Sequence, residues 1–295
     1  MTPADYDFLR GLLKDRSGLA LSNDKQYLIE SRLAPLMRKH GIADLSELVR
    51  RLKEPRPDLL VVAVVEAMTT NESFFFRDKV PFDHFRNVIM PGLLKARVGS
   101  KRIRIWCAAC AAGQEPYSLA MSLREMSAQL AGWQVDILAT DLSGDILDKA
   151  KVGIYSQFEA QRGLPIQMLV KYFRQVGDRW QIASDIREMV RFRPINLLHD
   201  FTSLGPFDVV FCRNVLIYFD APTKSATLAR LGRAVASDGY LLLGAAETVV
   251  GLTDQFKPVP DRRGLYAPNP YAFRGPRATV LKFAGGGGQS PRGAG

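Results

Sequence analysis

The chain contains little cysteine and little histidine. Its 295 residues include three cysteines, Cys107, Cys110 and Cys212, and three histidines. Three cysteines cannot form the disulfide framework of a small secreted domain. The histidines are scattered without the regular spacing of zinc ligands. We therefore expect neither a disulfide scaffold nor a metal site.

Long apolar runs are also missing. No stretch approaches the ~18 apolar residues that a membrane-spanning helix needs. The first ten residues, MTPADYDFLR, lack the basic and then apolar pattern of a secretory leader. We expect a cytoplasmic protein without direct membrane insertion, whose length suits one large or two ordinary domains.

Acidic residues are fewer than basic ones, 30 against 40, which gives a formal net charge of +10. Residues 1–70 are nearly balanced, with 11 basic and 10 acidic side chains. The basic excess lies in two regions. Residues 71–105 carry 8 basic and 3 acidic side chains, and residues 257–295 carry 7 basic and 1 acidic. Neither region interleaves aromatic and basic residues as a base-stacking surface does. Nucleic acid is therefore not the expected partner, whereas an acidic protein surface would be attracted to the first region.

The most informative stretch runs from Ile103 to Asp141. An apolar run is followed by small residues that end at Gly113. Glu115-Pro116 then suits the first turn of a helix, where the N–H that proline lacks would be unpaired anyway. A second apolar run ends at Asp141. The pattern predicts a βαβ unit with a tight turn and a carboxylate at the carboxyl ends of parallel strands, where open α/β sheets bind ligands.

The spacing of this unit is looser than the dinucleotide-binding fingerprint. Gly113 is the one glycine in the turn, so the neighbouring alanines must permit a ligand's close approach. Asp141 lies beyond the usual offset of about 20 residues. Spacing alone therefore leaves nucleotide-type binding and a purely structural βαβ unit equally open.

The turn also carries two cysteines. Trp106-Cys107-Ala108-Ala109-Cys110 has the form of a thioredoxin-like redox motif. In a redox motif the helix starts at once, whereas here two alanines and a glycine intervene before it. We favour small residues that fill a tight turn over a redox pair, and a zinc site is the least favoured interpretation.

Residues 1–70 predict a small domain of four helices. Capping sequences begin the first helix at Thr2 and the third at Asp44, and Asn23 is a candidate cap for the second. The fourth helix, from Asp58 to about Met68, is apolar nearly all round and is therefore expected to be buried. The second helix has a basic face that either is simply solvated or docks an acidic partner.

A connector, residues 71–100, begins with three consecutive phenylalanines that Asn71, Ser73 and Arg77 bracket. At least one phenylalanine should anchor the connector to the next domain. Arg77 could bind a carboxylate through two parallel hydrogen bonds. Val80 to Arg97 is helical in pattern, with a possible break at Pro91-Gly92.

Residues 101–268 continue as an α/β domain. Ser143 caps a helix that ends at Gly153, and Leu164 to Val176 is helical in pattern. The segments WQIAS and MVRFRPI predict an inserted hairpin, a small β-subdomain at about residues 176–195. An apolar strand, FDVVFC, ends before the polar pair Arg213-Asn214. A closing hairpin and a disordered tail, residues 269–295, complete the prediction.

Taken together, the stretches TTNESFFFRD, WCAACAAGQEPYSLAM, ATDLSGDILDKAKVGIY, NLL and FDVVFCRNVLIYF resemble the CheR family of chemotaxis receptor glutamate methyltransferases. They occur in that family's order and spacing, and the resemblance covers about Pro3 to Tyr266. It implies an α/β fold: a class I methyltransferase domain, Rossmann-like with a mostly parallel sheet, after an N-terminal all-α domain and with a small inserted β-subdomain.

The resemblance also implies the reaction. The family transfers methyl from S-adenosylmethionine to the γ-carboxylate of glutamates on the cytoplasmic helices of chemoreceptors, leaving S-adenosylhomocysteine. The products are glutamate methyl esters, which serve sensory adaptation. Because a glutamate carboxylate is already ionised at neutral pH, the reaction requires no general base and we assign no catalytic acid or base.

The family's cofactor positions match nine residues here: Asn71, Ser73, Arg77, Glu115, Asp141, Asn196, Leu197, Asn214 and Val215. By this resemblance, Arg77 would pair with the methionine carboxylate of the cofactor. Glu115 would accept a hydrogen bond from the α-ammonium group or its waters, and Asp141 from the ribose hydroxyls.

Four of the other six positions fall into two pairs. Asn196 and Leu197 would frame the adenine, one by a polar contact and the other by packing. Asn214 and Val215 would line the floor near the sulfonium. Candidates for contact with the substrate are Tyr218, which could orient the glutamate, and two basic residues of the second helix, Arg32 and Arg38.

Two departures from the family matter. Ser73 stands where the family usually has threonine, which keeps the hydroxyl. The segment from Tyr172 to Asn196 is shorter than in members that bind a receptor C-terminal pentapeptide, so we predict an enzyme independent of that peptide. We expect a monomer by default.

Two alternatives remain. A nucleic-acid methyltransferase would use the same cofactor, but amino-methylating enzymes place an Asn/Asp-Pro-Pro-aromatic segment where this chain has Arg213-Asn214-Val215-Leu216. The other is a scaffold that binds the cofactor or a receptor without turnover.

Overall fold

The computed structural model describes residues 2–55 and 58–272. Residues 273–295 of the predicted tail lie outside the described residues. No helix in the described part of the chain combines the length and apolar character needed to cross a membrane.

The N-terminal domain consists of four helices: α1 (Pro3–Ser17), α2 (Gln26–Lys39), α3 (Leu45–Leu52) and α4 (Asp58–Met68). Thr2 and Asp5 form a reciprocal capping box at the start of α1, as predicted, and the Asp44 side chain caps α3. The cap predicted for α2 is wrong: Lys25 occupies that position, and Asn23 accepts a hydrogen bond from Arg10 instead.

The prediction that α4 is buried is wrong for one side of the helix. Val61, Val64 and Val65 are buried in the domain core, but Leu59 is 89% exposed and Val62 is 53% exposed. The other helices pack against one side of α4 and leave its opposite side in solvent. Composition alone could not indicate this, because both faces of α4 are apolar.

The connector contains α5 (Val80–His84), a π-helical turn (Phe85–Ile89) and α6 (Met90–Ala96). The irregular turn lies just before Pro91, which has no N–H to donate to the preceding turn. Phe75 is fully buried and packs edge-on against two rings. The distance between ring centres is 5.1 Å to Tyr155 and 5.4 Å to Phe173. This packing confirms that a phenylalanine anchors the connector to the following domain.

The α/β domain begins with the predicted βαβ unit. Its elements in chain order are β1 (Arg102–Ala108), α7 (Gln114–Glu125), β2 (Gln134–Asp141), α8 (Gly144–Val152), β3 (Ile154–Ser156), α9 (Gln157–Gln161), α10 (Ile166–Tyr172), β4 (Phe173–Val176), β5 (Arg179–Ile182), α11 (Ser184–Arg187), β6 (Val190–Pro194), β7 (Phe207–Cys212), α12 (Ala221–Ala234), β8 (Val235–Leu243), β9 (Phe256–Pro258) and β10 (Leu265–Pro268).

Seven strands form the main sheet in the order β6-β2-β1-β7-β8-β10-β9. The first five strands are parallel, and β10 and β9 are antiparallel to their neighbours. The predicted class, an α/β fold with a mostly parallel sheet, is confirmed. After β1 the chain passes to β2 on one side, and β7 pairs with β1 on the other. A crevice therefore opens at the carboxyl ends of β1, β2 and β7, where such sheets bind ligands.

The inserted sheet differs from the predicted hairpin. It is antiparallel, in the order β3-β5-β4, and lies within residues 154–182 rather than about 176–195. Of the two segments assigned to the hairpin, WQIAS supplies β5, but MVRFRPI supplies β6, which pairs parallel with β2 at the edge of the main sheet. The single helix predicted from Leu164 to Val176 ends at Tyr172, and the chain continues as β4.

Candidate active site

One pocket lies at the crevice of the main sheet. All nine predicted cofactor positions line it, and so does Tyr218. The walls come from the carboxyl ends of the strands, from the start of the connector, and from Ser17 and Leu19 at the end of α1. The site is therefore built from both domains.

The turn between β1 and α7 forms the part of the pocket nearest the sheet. Three of its residues have left-handed backbone angles: Ala109 (φ +61°), Ala111 (φ +48°) and Gly113 (φ +89°). Such angles are uncommon for alanine and are often found at functional sites. A Cβ atom at Gly113 would lie only 3.0 Å from the Tyr117 ring and 3.1 Å from Ala150. The turn therefore requires small residues, as predicted.

The two cysteines of this turn are unsuited to redox chemistry. Cys107 and Cys110 are both free and buried. Burial raises the pKa of each thiol well above its ordinary value, which disfavours the thiolate that redox chemistry requires. Within residues 2–55 and 58–272, no group of histidine, cysteine and carboxylate side chains could hold a metal ion.

Asp141 joins the tips of β1 and β2. Its carboxylate accepts hydrogen bonds from the backbone N–H of Ala111 at 2.8 Å and of Ser143 at 3.2 Å. Burial raises the pKa of Asp141 above its ordinary value, and these N–H donors oppose the rise. A carboxylate has about four lone-pair sites, so capacity remains for the two hydroxyls of a ribose.

Arg213, which the sequence analysis did not assign to the site, forms its buried ionic centre. Its side chain is 1% exposed and donates to Glu115 Oε2 at 2.7 Å and to Asp78 Oδ2 at 2.7 Å. It also donates to the carbonyl oxygen of Arg77 at 3.0 Å. Burial raises the pKa of Glu115, and the Arg213 guanidinium opposes that rise. The polar pair after an apolar strand was the one sequence signal for Arg213.

The connector supplies a further cation to the pocket lining. Arg77 is partly exposed, donates to the Glu72 carbonyl at 2.9 Å and lies 5.5 Å from the centre of the Phe74 ring. A guanidinium has five N–H donors, so most of them stay available to an anionic group. Asn71 and Ser73 flank this position along the pocket wall.

Asn196 and Leu197 lie where the loop after β6 meets the N-terminal domain. The Asn196 amide donates to the Arg16 carbonyl at 2.7 Å and accepts from the Leu198 N–H at 2.9 Å. One amide N–H is left for a ligand, so this side chain mainly fixes the loop. Leu197 is buried, and its carbonyl accepts from Arg230 at 2.8 Å.

The loop after β7 forms the floor of the pocket. Asn214 has a left-handed backbone (φ +59°), and Val215 follows it. Both residues donate their backbone N–H to the carboxylate of Glu247, at 2.8 and 3.0 Å. Glu247 was not anticipated from the sequence.

The N-terminal domain closes the pocket through the segment after α1. Ala20 donates its N–H to the Tyr218 carbonyl at 2.9 Å, and Lys14 pairs with Asp220 at 2.7 Å. This lysine lowers the pKa of Asp220 to about 2. Between these contacts, Gly18 (φ +79°) packs so closely that a Cβ there would lie 2.7 Å from the Phe219 ring.

A second, more open groove runs beside the pocket between α2, α4 and the start of α8. Arg32 and Lys39 line it, whereas Arg38 is exposed outside it. The structure therefore does not bring the two candidate arginines together in the groove. Arg32 donates to the Met68 carbonyl at 2.6 Å and to Thr70 Oγ1 at 2.9 Å, which ties α2 to the end of α4 and to the residues that lead into the connector.

The charges of the pocket suit S-adenosylmethionine. The cofactor has a carboxylate, an α-ammonium group and a ribose diol, and the pocket offers the Arg77 guanidinium and the Glu115 and Asp141 carboxylates. Buried carboxylates whose pKa is raised by burial gain from a cationic or hydrogen-bond-donating ligand. The residues present therefore fit the cofactor.

Comparison with known proteins agrees with this geometry. Residues 71–265 match the family model described as CheR methyltransferase, SAM binding domain, and residues 4–69 match the CheR methyltransferase, all-alpha domain. The chain is 45% identical over 260 residues to chemotaxis protein methyltransferase 1 of Pseudomonas aeruginosa, covering 87% of this chain and 94% of that protein. It is 43% identical to chemotaxis protein methyltransferase Cher2 of Pseudomonas putida, covering 86% and 94%. It is 31% identical to the chemotaxis protein methyltransferase of Escherichia coli, covering 87% and 88%.

Proposed function

Because this chain belongs to the CheR methyltransferase family and contains its domain for S-adenosylmethionine, we propose that it methylates chemoreceptors on glutamate. The acceptor is the γ-carboxylate of glutamates on the receptor's cytoplasmic helices, and the product is a methyl ester. The observation that carries this proposal is the convergence of all nine family cofactor positions on one pocket at the crevice of the sheet.

The cofactor is held by charged side chains that line the pocket. Arg77 binds its carboxylate, Glu115 accepts from its α-ammonium group, and Asp141 accepts from the ribose hydroxyls. Arg213 favours the ionised form of the Glu115 carboxylate, through a charge-assisted hydrogen bond of 2.7 Å. Leu197 packs against the adenine, beside the loop that Asn196 fixes.

When bound, the cofactor supplies an electrophilic methyl group on a sulfonium. The receptor glutamate is ionised at neutral pH and needs no base. The protein's task is placement: it would hold one carboxylate oxygen within reach of the methyl group, in a site largely free of water. Asn214 and Val215 line the floor of that site, and Tyr218 orients the incoming glutamate. Removing water from the carboxylate costs binding energy, which receptor docking supplies.

The receptor helix docks in the open groove beside the pocket. Arg32 and Lys39 on α2 and Lys149 on α8 give this groove a small excess of basic over acidic side chains, the latter being Glu66 and Asp145. Asn71 lines both the groove and the pocket, so a helix in the groove can extend a glutamate toward the cofactor. Arg38, which is exposed outside the groove, contributes long-range attraction only.

Receptor recognition does not depend on a C-terminal pentapeptide. The inserted sheet has three short strands of three to four residues, and the segment from Tyr172 to Asn196 is shorter than in pentapeptide-binding members of the family. Capture of this protein at micromolar affinity by an immobilised receptor tail peptide would refute this part of the proposal. We further propose that the protein acts in the cytoplasm as a monomer.

The experiment that tests the substrate class is methyl transfer from radiolabelled S-adenosylmethionine to membranes that contain chemoreceptors. Alkaline treatment of a carboxyl methyl ester releases the label as volatile methanol. Duplex and single-stranded nucleic acid serve as competing acceptors in parallel reactions. Label that appears only on nucleic acid and survives base would reject the receptor proposal in favour of a nucleic-acid methyltransferase.

A further inference from the structure

Glu247 lies beneath the floor of the pocket and follows β8. Its carboxylate accepts four backbone hydrogen bonds. The Oε2 atom accepts from the N–H of Gly244 at 2.7 Å and of Asn214 at 2.8 Å. The Oε1 atom accepts from Val215 at 3.0 Å and from Ile217 at 3.2 Å. Four donors fill the lone-pair sites of one carboxylate.

These four bonds join the carboxyl ends of two neighbouring strands. Gly244 directly follows β8, and the other three donors belong to the loop that follows β7. That loop carries Asn214 in a left-handed backbone conformation, which costs energy for a residue other than glycine. The carboxylate offsets this cost because it satisfies N–H groups that the turn would otherwise leave unpaired.

The space around the carboxylate is full. A Cβ atom at Gly244 would lie 2.7 Å from Glu247 Oε2, 2.8 Å from Asn214 Nδ2 and 2.9 Å from the Asn214 backbone nitrogen. Glu247 itself is 9% exposed. The position of the carboxylate, and with it that of the loop, is therefore closely determined by its neighbours.

We infer that Glu247 is a positioning residue for methyl transfer: it fixes the Asn214–Val215 backbone, and through it the place of the reacting methyl group. This inference rests on the proposed function, in which these two residues lie near the sulfonium. It does not rest on contact between Glu247 and cofactor or substrate. Errors of about 1 Å in such placement cost on the order of 100-fold in rate.

Asp208 offers a matched control on the same strand, β7. It is also a buried carboxylate, 7% exposed, that accepts a backbone N–H, from Arg104 at 2.7 Å. It lies at the opposite end of β7 from the pocket, where it also accepts from Arg97 at 2.8 Å. A purely structural role for Glu247 predicts that both carboxylates behave alike when they are neutralised.

The test compares Glu247→Gln with Asp208→Asn in the full chain. In Glu247→Gln the amide nitrogen faces two of the four N–H donors, so at least two of the bonds break, including at least one to the loop. We expect amide hydrogen exchange at Asn214, Val215 and Ile217 to become about tenfold faster or more. We expect single-turnover methyl transfer to fall on the order of 100-fold, while the Kd for S-adenosylmethionine, measured by calorimetry, rises less than about tenfold. Asp208→Asn should lower Tm without changing these three quantities.

A second variant, Gly244→Ala, keeps the charge of Glu247 and crowds both its carboxylate and the Asn214 backbone. It should reproduce the faster exchange and the slower transfer. If the methyl transfer and loop exchange of folded Glu247→Gln and Gly244→Ala proteins equal those of the wild type, the inference is wrong. Equal losses of Tm, affinity and rate in Glu247→Gln and Asp208→Asn would also overturn it. If instead the wild type fails to label receptors, the proposed function fails, and exchange and cofactor binding still report whether Glu247 holds the loop.

Discussion

Arg213 and Glu115 meet 2.7 Å apart in the interior of the pocket, although 98 positions separate them in the sequence. Their contact joins the end of β7 to the first turn of α7. Arg213 also pairs with Asp78 in the connector, so one guanidinium holds three segments of the site together. Breaking a buried pair from one side leaves an uncompensated charge, which is more costly than losing the pair itself.

We therefore predict that Arg213→Met destabilises the protein by about 3–5 kcal/mol, because the Glu115 and Asp78 carboxylates lose their partner. Urea denaturation measures the change. The matched control is Arg102→Met, which breaks the more exposed pair with Asp136 at 2.9 Å and should cost about 0–1 kcal/mol. Equal costs for the two variants would show that the Arg213 pair is no stronger than a surface contact.

The second prediction concerns pH. Because burial raises the pKa of Asp141 above its unfolded value of 3.8, the folded protein binds this proton more tightly than the unfolded chain does. The stabilisation that comes from this tighter proton binding is fully present below pH 3.8 and is lost as pH rises through the raised pKa of Asp141. Between pH 3.8 and the raised pKa, the free energy of unfolding of Asp141→Asn should therefore fall less with rising pH than that of the wild type.

Urea denaturation of the cofactor-free protein, at a series of pH values, measures this difference. Affinity for S-adenosylmethionine should change in the opposite direction in the wild type and rise with pH over the same interval, because the ionised carboxylate is the better acceptor for ribose hydroxyls. If stability depends on pH identically in the wild type and in Asp141→Asn, the pKa of Asp141 is not raised in the folded protein.

The third prediction concerns closure of the pocket by the N-terminal domain. Gly18→Ala places a methyl group 2.7 Å from the Phe219 ring, next to the pocket wall. We expect the Kd for S-adenosylmethionine to rise on the order of tenfold, since the ring and the adjacent loop must move. Calorimetric titration measures this change.

Gly41→Ala is the control for this variant. Gly41 also has a left-handed backbone (φ +61°), but nothing lies within 4 Å of a Cβ placed there. It should show only the backbone penalty of about 1 kcal/mol in stability and an unchanged Kd. If Gly18→Ala likewise leaves the Kd unchanged, the segment after α1 does not contribute to cofactor binding.

The fourth prediction separates the groove from the general charge of α2. Lys39→Glu introduces a negative charge into the groove and should raise the KM for receptor on the order of tenfold. Arg38→Glu makes the same change of charge outside the groove and should have a smaller effect, which added salt abolishes. The Kd for S-adenosylmethionine should stay unchanged in both. Steady-state methylation at two ionic strengths measures these effects, and equal effects of the two substitutions would argue against docking in the groove.

The central βαβ unit was predictable because its signals are local. The small-residue turn, the proline in the first turn of α7 and the carboxylate at the end of β2 all follow one another within a short stretch. Capping sequences likewise located α1 and α3. Such features depend on neighbouring residues, which the sequence displays directly.

The features that were missed depend on distant partners. The segment of β6 alternates polar and apolar residues and suits a hairpin or an edge strand equally, and only its pairing with β2 decides the outcome. Arg213 is paired with Asp78 across 135 positions. Glu247 follows β8 and binds a loop about 30 residues earlier, with no sequence pattern of its own.

The most direct test of the proposed function is to map the methylated residues on a purified chemoreceptor after incubation with this protein and S-adenosylmethionine. Peptide mass spectrometry, with and without mild alkali, locates each methyl group and its lability. We predict methyl groups on glutamate side chains of the cytoplasmic helices, removed by alkali and absent with the Asp141→Ala variant. Alkali-stable methyl groups on nitrogen, or unmethylated glutamates in the presence of bound cofactor, would contradict the account.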